Sequence, residues 1–250
     1  FQMDVVWPGI LGRHLMDLKP HFSSKTLDQF FPVVLANNTV NGKLVAIPWF
    51  MDTGLLYYRK DLLDRYGHLP PQTWDELEET AKDIQKRERL RTGRQSWGFV
   101  FQGRAYEGLT CNAMEWLASW GGGTIVDETG AITINNPQAI QALRTARTWI
   151  GAISPPGVLN YAEEESRQAF QDGRAVFMRN WPYVWFALNA SDSAVRGKVG
   201  VTYIPRVKGI RRLAGVLGGS QIAVSRYTDH PEEAVSLVKY LTSKSELRRR

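Results

Sequence analysis

A single cysteine, Cys111, stands in 250 residues. That excludes an internal disulfide and a cysteine-built zinc cluster. Its place in an apolar helical pattern makes it a small buried side chain. No apolar run approaches the ~18 residues of a membrane helix. Catalytic signatures are missing too: there is no G-x-S-x-G, no H-E-x-x-H, no P-loop lysine motif and no complete G-x-G-x-x-G. His14, His21, His68 and His230 fall at loop-like positions without metal-ligand spacing. No catalytic residue, metal or cofactor is therefore expected. The formal charge is 31 − 25 = +6, but it comes from scattered arginines and the Arg248–Arg250 end. Acids are interleaved, and no basic cluster carries aromatics, so the excess reads as a solvated surface with no nucleic-acid partner.

What the chain does have is alternation of strand and helix signals. Asp4–Trp7, Gly42–Pro48, Gly54–Tyr58, Trp97–Phe101, Arg174–Met178 and Val199–Ile204 read as strands, and Gly215–Ser225 as a loop running into one. Thr73 opens a helix with a capping box, and Trp74, Leu77, Ala81 and Ile84 follow at helical spacing. Tyr106–Trp120 reads as a helix stopped by Gly121–Gly123. Asn136 caps another, with Ile140, Leu143, Ala146 and Ile150 as its stripe. Ala162–Gln171 and Pro231–Thr242, the latter with Leu237 inward, complete the set. Alternation of this kind predicts an α/β fold with largely parallel sheets.

The most informative stretch is Gly42–Gly67, GKLVAIPWFMDTGLLYYRKDLLDRYG. Pro48 and Gly54 punctuate it, which places Asp52 on a turn at a strand end among Trp49, Phe50 and Tyr57. A carboxylate framed by aromatic rings suits a sugar. The acid accepts hydrogen bonds from hydroxyls, and the rings pack on the apolar C–H face. Trp181 and Tyr183, in NWPYVW, read as a second aromatic platform exposed by Pro182, with Trp185 in the core.

The order GKLVAIP, DTGLLYYRKDLL, TWDEL resembles the extracellular solute-binding proteins of bacterial ABC importers, in the branch that binds trehalose, maltose and related oligosaccharides. DVVWPG at Asp4, YEGLTCNAMEWLASWGG at Tyr106, FQDGRAVFMRNWPYVW at Phe170, VGVTYIPR at Val199, LGGSQIAVS at Leu217 and HPEEAVSLVKYLTS at His230 resemble it in the same order. The resemblance implies a two-lobed, type II periplasmic-binding-protein-like α/β fold with its ligand cleft between lobes. It implies one lobe of residues 1–57 plus 206–250, an inserted lobe of 58–205, and hinge crossings near 55–60 and 204–208. FQMDVVW reads as a strand already under way and SKSELRRR as mid-helix, so a fragment of a longer protein is expected. The whole protein would be exported, periplasmic or lipid-anchored outside the cytoplasmic membrane, and monomeric, with permease subunits as partners.

The site residues implied are Asp4, Trp7, Phe50, Asp52, Tyr106, Glu107, Trp181, Tyr183, Gly218, Gly219, Ser220 and Gln221. Gln102, Arg179 and Asn180 are further polar candidates. Phe50 stands where relatives often carry Tyr, and Ser220–Gln221 where they often carry Trp, which implies a modified subsite. The ligand expected is a di- or oligosaccharide. Two rivals fit the same residues: a carbohydrate-active hydrolase using Asp52 with Glu107 or Asp4, and a receptor for a non-sugar solute such as a peptide or polyamine.

Overall fold

The computed structural model describes residues 1–211 and 213–249, so Arg250 of the basic end lies outside the described residues. Packing divides the chain into two units. Unit 1 comprises Phe1–Thr53 and Leu217–Arg250, and unit 2 comprises Gly54–Val216. Unit 1 starts with β1 (Gln2–Asp4), the short helices α1 (Pro8–Leu11), α2 (Ser24–Leu27) and α3 (Pro32–Asn37), the small hairpin β2 (Thr39–Val40) and β3 (Lys43–Leu44), and β4 (Ile47–Thr53). Unit 2 runs through β5 (Leu55–Arg59), α4 (Lys60–Tyr66), α5 (Trp74–Thr92), β6 (Trp97–Val100), α6 (Glu107–Ser119), α7 (Pro137–Trp149), α8 (Glu163–Gln171), β7 (Ala175–Asn180), α9 (Val184–Leu188) and β8 (Val199–Thr202). The chain then returns to unit 1 with β9 (Leu217–Ile222), α10 (Pro231–Leu241) and α11 (Lys244–Arg249).

The α/β class holds, but the strand directions differ from the largely parallel expectation. Unit 1's sheet, β1-β9-β4, is antiparallel, and in unit 2's sheet, β6-β7-β5-β8, only β6–β7 is a parallel pair. Alternation forces parallel pairing only where helices join strands that become neighbours. Helices α6, α7 and α8 do so between β6 and β7. Helices α4 and α5 instead lead from β5 to a strand that lies beyond β7. β5 itself follows β4 after the single residue Gly54 and lies between two strands of opposite direction.

Both faces of unit 2's sheet are covered. Leu56 and Tyr57, adjacent on β5, join different buried clusters, as period-two alternation requires. One cluster is aromatic: Trp74 and Trp149 lie 5.1 Å apart, and Trp116 meets Phe101 and Trp149 edge-on at 5.3 and 5.8 Å. Their indole N–H groups are accommodated too, Trp74 donating to Ser119 Oγ at 2.8 Å and Trp149 to Glu78 Oε2 at 3.0 Å. Thr73 and Glu76 form the expected capping box at the start of α5, worth about 1 kcal/mol.

On α7 the buried positions are Ala139, Ala142, Ala146 and Trp149, while Ile140 and Leu143 are exposed. Small residues let the helix lie close, so the stripe is shifted from the one the large aliphatics outline. Leu237 on α10 is likewise exposed, with Val235 and Val238 inward. Trp185, expected in the core, is 42% exposed.

Where α4 and α5 meet, Glu88 accepts from Arg91 Nε and Nη2 (2.9 and 2.7 Å), Tyr66 Oη (2.5 Å) and Arg65 Nη1 (3.2 Å). The Arg91 hydrogen bonds lead in lowering its pKa to about 2, from an ordinary 4.5. A depressed carboxylate adds stability above its unfolded pKa and loses it as pH falls through the folded one. Glu88→Gln should therefore be less stable than the parent above pH 4.5, the gap closing toward pH 2. Urea midpoints measured across that range test this, and a gap independent of pH would refute it.

Candidate functional site

In unit 1 the sheet register decides which residues share a face. Asp4 on β1 and Phe50 on β4 both lie opposite Ser220 on β9, and Asp52 lies opposite Gly218. Cross-strand partners point the same way, and so do residues two apart. Asp4, Phe50, Asp52, Gly218 and Ser220 therefore belong to one face. Asp4 and Phe50 are exposed, Asp52 is half-buried, and Gly218 brings no side chain between them.

Asp52 lies within β4, not on a turn. The strand carries past Pro48 because a bulge between Pro48 and Phe50 absorbs the missing donor. Burial raises the Asp52 pKa above the usual carboxylate value, and the neighbouring charge of Asp4 raises it further. Trp7 is exposed, but it follows a turn after Asp4 and opens α1; it is not the end of a strand.

Gly219 and Gln221 belong to the opposite face of β9. Gln221 is fully buried and accepts from Asn38 Nδ2 at 2.8 Å, which removes it from the candidate set. Gly219 has φ +105°, and a Cβ there would meet the Phe50 carbonyl oxygen at 2.3 Å. Close backbone approach explains that glycine without a ligand. Ser220 is buried and accepts from Gln2 Nε2 at 2.8 Å.

Unit 2 gathers a second set at three element ends. Tyr106 opens α6, Glu163 opens α8, and Trp181 and Tyr183 follow β7. Glu163, which the sequence reading missed, joins them: its Oε2 accepts from Tyr106 Oη at 2.6 Å and its Oε1 from Trp181 Nε1 at 3.2 Å. Tyr183 Oη donates to Glu164 Oε1 at 2.5 Å. Burial, then the Glu163 hydrogen bond, pushes the Tyr106 pKa upward, so its phenol stays a neutral donor. Glu107 is exposed and accepts from the Cys111 thiol at 3.1 Å. Burial first and Glu107 second push that thiol up to about 12, which leaves Cys111 inert at neutral pH. Tyr57 is a buried unit 2 residue whose hydroxyl donates to the Trp181 carbonyl at 2.9 Å.

Beneath Trp181 lies a buried polar layer containing the three further polar candidates. The Arg179 guanidinium carbon sits 4.0 Å from the Trp181 ring centre. Its Nε and Nη2 reach both Glu115 oxygens, at 2.8 and 2.6 Å, and both side chains are about fully buried. Gln102 donates to Ser166 Oγ and the Arg179 carbonyl, and Asn180 to the Glu163 carbonyl. These three residues support the surface set and are not themselves exposed to a ligand.

A half-buried indole held by its edge, tyrosines and a carboxylate make a set that can stack on C–H faces and exchange hydrogen bonds with hydroxyls. Glu163→Gln should take the charged acceptor from both Tyr106 and Trp181, leave one of them facing an amide NH2, and weaken binding of a hydroxyl-rich ligand roughly tenfold. Calorimetric affinity beside an unchanged melting temperature would show it; an unaltered affinity would remove Glu163 from the site. Among the described residues no group of three or more His, Cys, Asp or Glu side chains could hold a metal ion, and no helix is long and apolar enough to cross a membrane.

Two α/β units joined by two chain crossings, as seen here, are the architecture of the type II periplasmic binding proteins. The sequence matches the bacterial extracellular solute-binding protein family over residues 1–246, and the chain belongs to that family. A probable ABC transporter-binding protein of Deinococcus radiodurans is 49% identical over all of this chain and 59% of its own length. A maltose-bound T. maritima structure, MalE3, superposes with a TM-score of 0.89 at 43% identity, covering 98% of this chain and 62% of that one. A ribitol-bound solute-binding protein from Agrobacterium radiobacter K84 follows at 0.87 and 28%, covering 99% and 63%. The chain thus spans about three fifths of the length of these relatives.

Proposed function

We propose that this chain is part of the substrate-binding component of an ABC importer and binds a di- or oligosaccharide of the maltose or trehalose kind. The observation that carries this reading is the unit 2 set, in which Trp181 is held by its edge on Glu163 with Tyr106 on the same carboxylate. The unit 1 face with Asp4 and Asp52 adds two acceptors for hydroxyl hydrogens. The maltose-bound relative, 43% identical over almost the whole chain, supports the same ligand class. The ribitol-bound relative favours a linear polyol as the second reading.

On this reading the protein closes on its ligand by bending at the crossings beside Gly54 and Val216. Ligand shifts that equilibrium only by its extra affinity for the closed form. The closed protein then delivers the sugar to permease subunits, outside the cytoplasmic membrane or in the periplasm. It turns nothing over.

Isothermal titration of the whole protein against maltose, trehalose, sucrose, ribitol and a peptide mixture, with hydrolysis followed in the same samples, tests the reading. Micromolar or tighter binding of a sugar without turnover is expected. Hydrolysis would recast Asp52 and Glu107 as catalytic groups, and a response to peptide alone would refute the ligand class. Trp181→Ala should weaken sugar binding at least tenfold, about 1.4 kcal/mol, without unfolding the protein. An unchanged affinity would displace the stacking platform.

A further inference from the structure

The buried Arg179–Glu115 pair touches two things at once. On one side, Arg179 lies against one face of the Trp181 ring, its guanidinium carbon 4.0 Å from the centroid. A ring has two faces, so a ligand stacking on Trp181 takes the other and presses on a sandwich whose lower layer is the cation. On the other side, Glu115 Oε1, which already holds Arg179 Nη2 at 2.6 Å, accepts the Val216 N–H at 3.1 Å. Val216 is the last residue of unit 2 before the chain returns to unit 1, and Gly54 is the first after it enters. Those two crossings are themselves joined, Gly54 N–H donating to the Val216 carbonyl at 3.3 Å. The same Glu115 oxygen lies so near Gly54 that a Cβ there would sit 1.7 Å from it, with Arg179 Nη2 at 2.6 Å. One carboxylate therefore stands against both crossings and grips the arginine that backs the platform.

A charged pair is a poor means of holding a core together. Well-packed apolar residues in the place of such a pair are often as stable or more so, because both charges were desolvated. Arginine's planar fork brings rigidity instead: two parallel bonds to one carboxylate and a flat face for an aromatic ring. Gln102 Oε1, accepting from Arg179 Nη1 at 3.2 Å, fixes the remaining arm of the fork.

We infer that Arg179 and Glu115 are positioning residues for ligand-driven closure, passing occupancy of the Trp181 face to the crossings at Gly54 and Val216. This rests on the sugar-receptor reading. Neither residue touches the ligand; the pair acts through Trp181 at one end and backbone at the other.

The test compares four forms of the whole protein: the parent, Arg179→Lys, Glu115→Gln and the apolar pair Glu115→Leu with Arg179→Met. Each is measured for melting temperature, for maltose affinity by calorimetry, and for the change in radius of gyration on adding saturating maltose, by small-angle X-ray scattering. Glu115→Gln should melt well below the parent, because it leaves a buried guanidinium without its counter-charge. The apolar pair should recover much of that melting temperature yet bind maltose at least tenfold more weakly and compact less at saturation. Arg179→Lys keeps the charge and loses the fork, and should weaken affinity and compaction more than it lowers melting. Parent-like affinity and compaction in the apolar pair and in Arg179→Lys would overturn the inference and leave the receptor reading standing. Should the apolar pair fail to fold, Arg179→Lys decides alone. A parent protein that binds none of the sugars removes the receptor reading and this inference with it.

Discussion

Adding one methyl group at Gly54 should cost unit 2 about 3–5 kcal/mol of stability, the range for breaking a buried ion pair. The reason is space, not backbone conformation, for Gly54 is not among the glycines with positive φ. A Cβ at Gly54 would meet Glu115 Oε1 at 1.7 Å and Glu115 Cδ at 2.7 Å. A carboxylate at the surface would swing aside at little cost. This one is buried, with one oxygen on Arg179 Nε and the other shared between Arg179 Nη2 and the Val216 N–H. Displacing it strips a buried guanidinium of its partner and leaves a backbone donor unmet. Urea unfolding of Gly54→Ala against the parent measures the effect, and a loss below about 1 kcal/mol would show that the carboxylate has room to move. The same change in a Glu115→Ala background should cost far less, since the two share one contact.

How much of this was legible in the sequence depends on the range of the interaction concerned. The cap of α5 and its inward Trp74, Leu77, Ala81 and Ile84 were readable, because capping and helical period are written within a few residues. The burial of Cys111 was readable for the same reason. The position of Asp52 was misread, because Pro48 and Gly54 look like loop punctuation. Only the pairing of β4 with β9, far along the chain, shows that the strand continues past Pro48 and carries Asp52 before it ends at Thr53, one residue short of Gly54. Gln221 was misassigned because a sequence does not say which face of β9 is buried until the register with β1 and β4 is known. Glu163 was hidden in a run of three glutamates at a helix start, where the helix dipole alone accounts for acids. Nothing in the local sequence marks the Arg179–Glu115 pair, whose members are 64 residues apart.

Asp52→Asn should make the ligand-free protein more stable while weakening sugar binding at least tenfold, and pH separates the two effects. Burial and the Asp4 charge both raise the Asp52 pKa, so the ionised form is disfavoured in the folded chain. A carboxylate raised on folding binds its proton more readily folded than unfolded. Stability therefore falls as pH rises from the unfolded pKa through the folded one. The asparagine variant escapes that cost, so its advantage is largest at neutral pH and vanishes in acid, where Asp52 is protonated in both states. Binding moves the other way. An ionised carboxylate is an acceptor for hydroxyl hydrogens, and the parent should lose affinity as pH drops into the raised range, whereas the variant's affinity should be flat there. Asp4→Asn removes the repulsive neighbour and should carry the parent's acid limb to lower pH. Melting curves and maltose titrations from pH 4 to 8 on the three proteins check each limb. Should Asp52→Asn be the less stable protein at neutral pH, Asp52 would be a structural residue satisfying its own sheet. Should it bind as tightly as the parent, the unit 1 face would have no part in holding the ligand.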